Sequence, residues 1–175
     1  MRSLRIDLSG LAEAFASGNA EAAFYLDLET GAVLLVTEET RRDLEELRTV
    51  LDDESATSPA DLAAALEDSG LPAWQIETVL EAYQVEAGSG ERYLGVPPVD
   101  SRQAYRDMEA FIATVPNATL RERLRRAIQG RGAFRQFKNV LNERPQEEQR
   151  WFAFRDGRTQ QRMLEWLEAE GIEAM

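Results

Sequence analysis

Residues 23–37 read AFYLDLETGAVLLVT, and this stretch decides the fold class because it predicts a β-hairpin in an otherwise helical chain. Phe24, Leu26 and Leu28 alternate with less apolar neighbours, which is the period of a half-buried strand. The turn contains Gly31, and the apolar run that follows it supplies the second strand. An isolated hairpin is marginally stable in water, so a third strand is expected beside it.

The third strand is predicted at RYLGV, residues 92–96, which precede two prolines and therefore suit the edge of a sheet. Apolar residues at helical spacing fill most of the remaining chain, with capping residues and glycines at the ends of the segments. Within the last helix, a break or kink at Asp156-Gly157 stays open as an alternative to a continuous helix. The sequence thus predicts an α+β fold, mostly helical, with a small three-stranded antiparallel sheet. The predicted helices cover residues 8–17, 38–52, 59–70, 72–86, 101–115, 120–128, 131–141 and 145–169.

Charge is distributed unevenly over the 175 residues. The net charge of −12 combines −15 in residues 1–100 with +3 in residues 101–175. The segment 118–138 contains seven cations and one acid. Such an asymmetric chain can pair internally or attract different partners with its two halves. From the length we predict a single domain over 1–175. A division within this domain stays open, into an acidic lobe, 1–90, with a variable insertion at about 52–90, and a basic helical lobe, 91–175.

The chain contains neither His nor Cys. This composition excludes catalytic dyads that use imidazole or thiol, as well as zinc sites of the usual kind. There is no Walker A string, no dinucleotide-binding glycine pattern and no nucleophile elbow. The acidic run Asp52-Asp53-Glu54 lacks the spacing of a calcium loop and is interpreted as solvated. We therefore predict no catalytic residue, no metal and no cofactor.

No window approaches 18 consecutive apolar residues, so no membrane partner is expected. The first residues, MRSLRIDLSG, lack the apolar run of a signal peptide. A cytoplasmic location is the resulting expectation.

The densest feature of the sequence is AIQGRGAFRQFKNVL, residues 127–141. If 131–141 is helical, Arg131, Arg135 and Lys138 share one face, and Phe134 lies with Phe137 in the core. Two glycines beside the start of this helix leave backbone N–H groups accessible to an anion. The residues predicted to bind an anion or nucleic acid are Arg121, Arg125, Gly130, Arg131, Gly132, Arg135 and Lys138.

The same region resembles an uncharacterised family of small bacterial proteins whose signature is GRGAFR-FK followed by a Trp. The matching strings are GRGAFRQFK (130–138), YRDMEAFI (105–112), RWFAF (150–154), EWL (165–167), YLDLETGAVLLV (25–36) and PPVDS (97–101). The resemblance implies no particular activity, because the function of that family is unknown.

Three functions remain open on these observations. The first is a non-enzymatic binding or regulatory protein that uses the corner 118–138 to bind a polyanion such as nucleic acid. The second is a protein-interaction module that works through the acidic helices 38–52 and 59–86. The third is a small enzyme that holds a phosphate- or carboxylate-bearing ligand at residues 130–135. The alternative to all three is that the corner 118–138 binds no ligand and has a structural role alone, with its arginines paired to the acidic half.

Overall fold

The computed structural model describes residues 2–19, 21–50, 59–68 and 70–175. The chain forms two compact units. One consists of Met1–Pro98 together with Leu167–Met175, and the other of Val99–Trp166. The acidic run Asp52-Asp53-Glu54 lies outside the described residues.

The first unit contains the predicted sheet. Its elements are β1 (Arg2–Leu4), α1 (Leu8–Ser17), β2 (Ala22–Asp27), β3 (Val33–Thr37), α2 (Glu38–Val50), α3 (Pro59–Asp68), α4 (Ala73–Ala87), β4 (Tyr93–Gly95) and β5 (Ile172–Ala174). The hairpin strands β2 and β3 are antiparallel, and β4 is antiparallel to the other side of β2. Leu26 consequently lies between Val33 and Leu94 and is fully buried. The prediction of an α+β fold with a three-stranded antiparallel sheet is confirmed.

A second, two-stranded sheet was not predicted. In it, β1 and β5 pair in parallel, with Arg2 opposite Ile172 and Leu4 opposite Ala174. Each strand has three residues, which is too short for an alternating pattern to stand out in the sequence. The pairing joins the two ends of the chain within the first unit.

Helices α2, α3 and α4 supply most of one core cluster of the first unit. Each contributes leucine or valine at helical spacing, as its apolar period predicts. Tyr93 of β4 and Val36 of β3 join the same cluster. The buried members are Val36, Leu44, Leu62, Leu66, Val79, Ala82, Val85 and Tyr93.

The hairpin turn is held by a buried carboxylate. Asp27 is the last residue of β2, and its side chain is 5% exposed. Arg92 donates to both carboxylate oxygens, at 3.0 and 2.8 Å. The Glu29 N–H and the Thr30 hydroxyl donate to the same group, both at 2.9 Å. These bonds connect the turn with the residue that precedes β4.

Gly31 of this turn cannot be replaced without distortion. Its φ is +77°, and an added Cβ would lie 1.9 Å from the carbonyl oxygen of Arg5. Only glycine permits that approach together with that backbone conformation.

Asp27 makes the stability of the first unit dependent on pH. The hydrogen bond from Arg92 holds the pKa of Asp27 well below its usual range, and the Glu29 N–H and the Thr30 hydroxyl act in the same direction against desolvation. A lowered folded-state pKa stabilises the protein above the unfolded pKa of about 3.9, and this stabilisation is lost as the pH falls further. We expect the free energy of unfolding to decline less below pH ~4 in Asp27→Asn than in the wild type.

Urea unfolding monitored between pH ~6 and ~3 measures this difference. Asp156→Asn is the matched control, because Asp156 is exposed and pairs only with the adjacent Arg155 among the described residues. Equal acid sensitivity in Asp27→Asn and the wild type would contradict the prediction.

The second unit is helical. Its elements are α5 (Ser101–Thr114), α6 (Ala118–Ala127), α7 (Ala133–Asn142) and α8 (Pro145–Ala169), the last of which ends within the first unit. The break left open at Asp156-Gly157 does not occur, because α8 continues through both residues to Ala169. A helical glycine costs about 1 kcal/mol, which the burial of Trp151 and Met163 on either side of it outweighs. No helix in the described ranges is long and apolar enough to cross a membrane.

Aromatic side chains join α5, α7 and α8. The rings of Phe137 and Trp151 have their centroids 4.9 Å apart, and those of Phe111 and Trp151 5.3 Å apart. Edge-to-face pairs of this kind add to the free energy of burial. They hold α7 at a defined place beside α5.

Candidate anion-binding cleft

The turn between α6 and α7 differs from its prediction. Gly130 and Gly132 have φ of +91° and +76°, in the left-handed region that glycine favours. The chain therefore cannot enter α7 before Ala133, and Arg131 lies in the turn. The predicted helical face that Arg131 would share with Arg135 and Lys138 is wrong.

Phe134 is the second correction. It was expected in the core with Phe137, yet it is 43% exposed whereas Phe137 is 1% exposed. The helix begins at Ala133, so Ala133, Phe137 and Leu141 at four-residue spacing form the buried face. Around the helix Phe134 lies only about 60° from Phe137, but it stands in the first turn of α7, beside the glycine-containing turn, and is left exposed there.

Phe134 instead lines a cleft between α5 and the α6–α7 turn. Its volume is about 920 Å³, enough for a nucleotide-sized ligand. The lining residues are Ser101, Arg102, Tyr105, Arg106, Glu109, Gly130, Gly132, Ala133, Phe134 and Arg135.

Three arginines and one carboxylate surround this cleft. Arg102 and Arg106 are one helical turn apart on α5, and Arg135 faces them from α7. No hydrogen bond or ion pair joins any of the three to another residue in the described ranges. Other arginines of the chain do have such partners. Arg92, for example, forms an ion pair with Asp27. The cleft therefore presents three guanidinium groups whose donors are available to a ligand.

The start of α7 adds positive potential to the cleft. Its N-cap is Gly132, which has no side chain to accept from the first N–H groups. The helix dipole places a partial positive charge at this end. The contribution supplements the arginines, because dipole effects are smaller than those of full charges.

The predicted site residues separate into three groups in the structure. Gly130, Gly132 and Arg135 line the cleft. Arg121 donates through Nη1 to the Val115 carbonyl at 2.9 Å and so closes the end of α5. The remaining three predicted residues lie outside the main cleft: Arg125 lines a smaller cleft, whereas Arg131 and Lys138 are exposed and line neither.

Five residues of α5 that line the cleft were not predicted as site residues, the first of them Ser101. Arg102, Tyr105, Arg106 and Glu109 follow the spacing i, i+3, i+4 and i+7, which places them on one face of a helix. That spacing was the available signal. Tyr105 also donates its hydroxyl to the Ile128 carbonyl at 3.2 Å, which ties α5 to the end of α6.

The cleft is not built as a metal site. Glu109 is the single carboxylate that lines it. Across the described part of the chain, no group of three acidic side chains is placed to hold a metal ion.

The fold and the cleft define a small α+β protein with a basic, partly aromatic cleft in its helical unit. Residues 75–175 match the model of the Uncharacterised protein family (UPF0158), so the chain belongs to that family. It is similar to the UPF0158 protein PA5073 of Pseudomonas aeruginosa, with 27% identity over 173 residues, 99% of this chain and 88% of that protein. No solved structure matches significantly. The matched range includes every cleft residue, and it begins inside the segment 52–90 that was predicted to be a variable insertion.

Proposed function

We propose that this protein binds a polyanion, in particular nucleic acid, in the basic cleft, and that it does so without catalysing a reaction. The observation that carries the proposal is the set of three arginines without partners in the described chain around the exposed ring of Phe134. Guanidinium groups suit phosphate oxygens, and an exposed aromatic ring offers a stacking surface to a base.

Charge supports a local mode of binding. Residues 99–166 contain 14 cations and nine acids, a net charge of +5, within a chain of −12. A phosphate-rich ligand is therefore repelled by most of the protein and attracted by the cleft. Binding through a small number of phosphates follows from this distribution.

The side chains of the cleft favour binding over catalysis. General acid–base chemistry near neutral pH most often uses His, or a carboxylate with a strongly shifted pKa, and frequently a pair of such groups. The cleft contributes one carboxylate, Glu109, and the chain has no His.

The string GRGAFRQFK, residues 130–138, is part of the same proposal. It supplies the two left-handed glycines, the stacking ring and Arg135, which together form one wall of the cleft. We infer that it is a signature of the family. An alignment of UPF0158 members in which Gly132 and Arg135 vary freely would contradict this.

Salt dependence tests the proposal directly. Fluorescence anisotropy with a labelled single-stranded RNA, titrated with protein between about 50 and 300 mM KCl, gives the association constant at each salt concentration. Contacts with the three arginines predict a slope of log K against log salt of about −2 for a short strand that occupies this cleft alone. No binding at the lowest salt, or binding indifferent to salt, would refute it.

A further inference from the structure

A second cleft continues the first along α5. Its volume is about 270 Å³, and its lining residues are Tyr105, Glu109, Ile112, Ala113, Arg125, Ile128 and Gln129. Tyr105 and Glu109 line both clefts. The two are therefore adjacent depressions on either side of these residues, and we call them together the α5 groove.

The α5 groove is longer than a mononucleotide. It extends along α5 from Ser101 to Ala113, which corresponds to about 18 Å at 1.5 Å per residue. A stacked strand advances about 3.4 Å along its axis per nucleotide, so the groove has the length of about five nucleotides of such a strand.

The charged residues of the α5 groove are complementary to a single-stranded nucleic acid. Arg125 is exposed in the second cleft and has no ionic or hydrogen-bonding partner in the described ranges. Glu109 borders both the cleft of the three arginines and the cleft of Arg125. Phosphates would avoid Glu109, whereas a carboxylate accepts from the amino group of a base. Basic groups in both clefts, with an acceptor that borders each, are complementary to a phosphate backbone that carries bases.

We propose that a single-stranded nucleic acid lies along the α5 groove and occupies both clefts. Its phosphates contact Arg102, Arg106 and Arg135 in the first cleft and Arg125 in the second, and Phe134 stacks on one base. This inference rests on the proposed function and adds the strandedness, the length and the path of the ligand. A duplex is not expected, because its bases are stacked on each other and their faces are unavailable to Phe134.

Competition binding with strands of different length tests the path. Unlabelled single-stranded RNAs of about two to ten nucleotides compete with a labelled strand of about eight at low salt. We expect affinity to rise with length up to about five nucleotides and then to level off. In Arg125→Ala the affinity for the longest strand should fall about tenfold, the dinucleotide should bind unchanged, and the salt slope should become shallower by about 0.7.

Arg126→Ala is the matched control, since Arg126 is the next residue on α6, is exposed, and pairs with Glu122. It should bind all lengths as the wild type does. A dinucleotide that binds as tightly as the longest strand, with no effect of Arg125→Ala, would overturn this inference and leave the proposed function standing. Tighter binding of duplex than of single strand, or equal competition by polyglutamate, would also overturn it. Failure of every strand to bind would refute the proposed function itself.

Discussion

The double variant Arg102→Glu with Arg135→Glu is expected to bind single-stranded RNA at least about 100-fold more weakly than the wild type. The two residues face the first cleft from different helices, and neither has a partner among the described residues. A hydrogen bond to a charged group contributes about 2 kcal/mol, and each 1.4 kcal/mol corresponds to a tenfold change in affinity. Replacing a cation by an anion also adds repulsion of phosphate, so two such changes should remove binding at moderate salt.

The matched control carries the same change of charge outside the cleft. Lys138→Glu and Arg131→Glu alter exposed residues of α7 and of the turn before it, and neither residue lines a cleft. Their effect should be threefold or less, through the general field alone. Anisotropy titrations of the two double variants measure the contrast. If both bind RNA equally weakly, the residues act through net charge and the cleft is not the site.

Asp107→Ala is expected to lower the free energy of unfolding by about 3–5 kcal/mol, the largest effect on stability that we predict. Asp107 is 3% exposed on α5, and Arg162 of α8 donates to both of its carboxylate oxygens. Arg158 donates to it as well, at 3.2 Å. Arg162 is itself largely buried, and its Nε has no partner in the described structure. Removing Asp107 would leave this buried cation without a counter-charge, which costs more than the ion pair contributes.

Guanidinium-chloride unfolding of the purified variants measures this loss. Asp156→Ala removes an exposed carboxylate from α8 and should cost no more than about 1 kcal/mol. The combined change Asp107→Ala with Arg162→Met should recover much of the stability, because it removes both charges and keeps apolar volume. If Asp107→Ala lowers the free energy of unfolding by less than about 1 kcal/mol, the prediction is wrong, and Arg162 reaches water once Asp107 is removed.

The elements that the sequence predicted well are those that local forces define. Helix α1 begins and ends at Leu8 and Ser17 as predicted, since Asp7 caps its first turn and Gly18 ends it. The hairpin followed from the alternation before Gly31 and the apolar run after it, and β4 from its apolar run before two prolines. The residues of each such pattern are close together in the sequence, so no tertiary information is needed to recognise it.

The cleft was only partly predictable for the opposite reason. Gly132 and Arg135 belong to one conspicuous string, but Arg102 and Arg106 lie about 30 residues earlier. They face the α6–α7 turn because aromatic packing places α7 beside α5. The exposure of Phe134 depends on the residue at which α7 begins, and the left-handed glycines set that residue.

The fold class, the separation of charge along the chain and the absence of imidazole and thiol chemistry follow from the residue order alone. Which arginines are available to a ligand depends on the folded structure. Arg92, Arg158 and Arg162 are engaged by buried aspartates, and Arg121 by a carbonyl group. The cleft arginines and Arg125 have no such partner in the described ranges. The physical reason is that an ion pair depends on distance through space, and residues 50 or more positions apart can satisfy it as well as neighbours do.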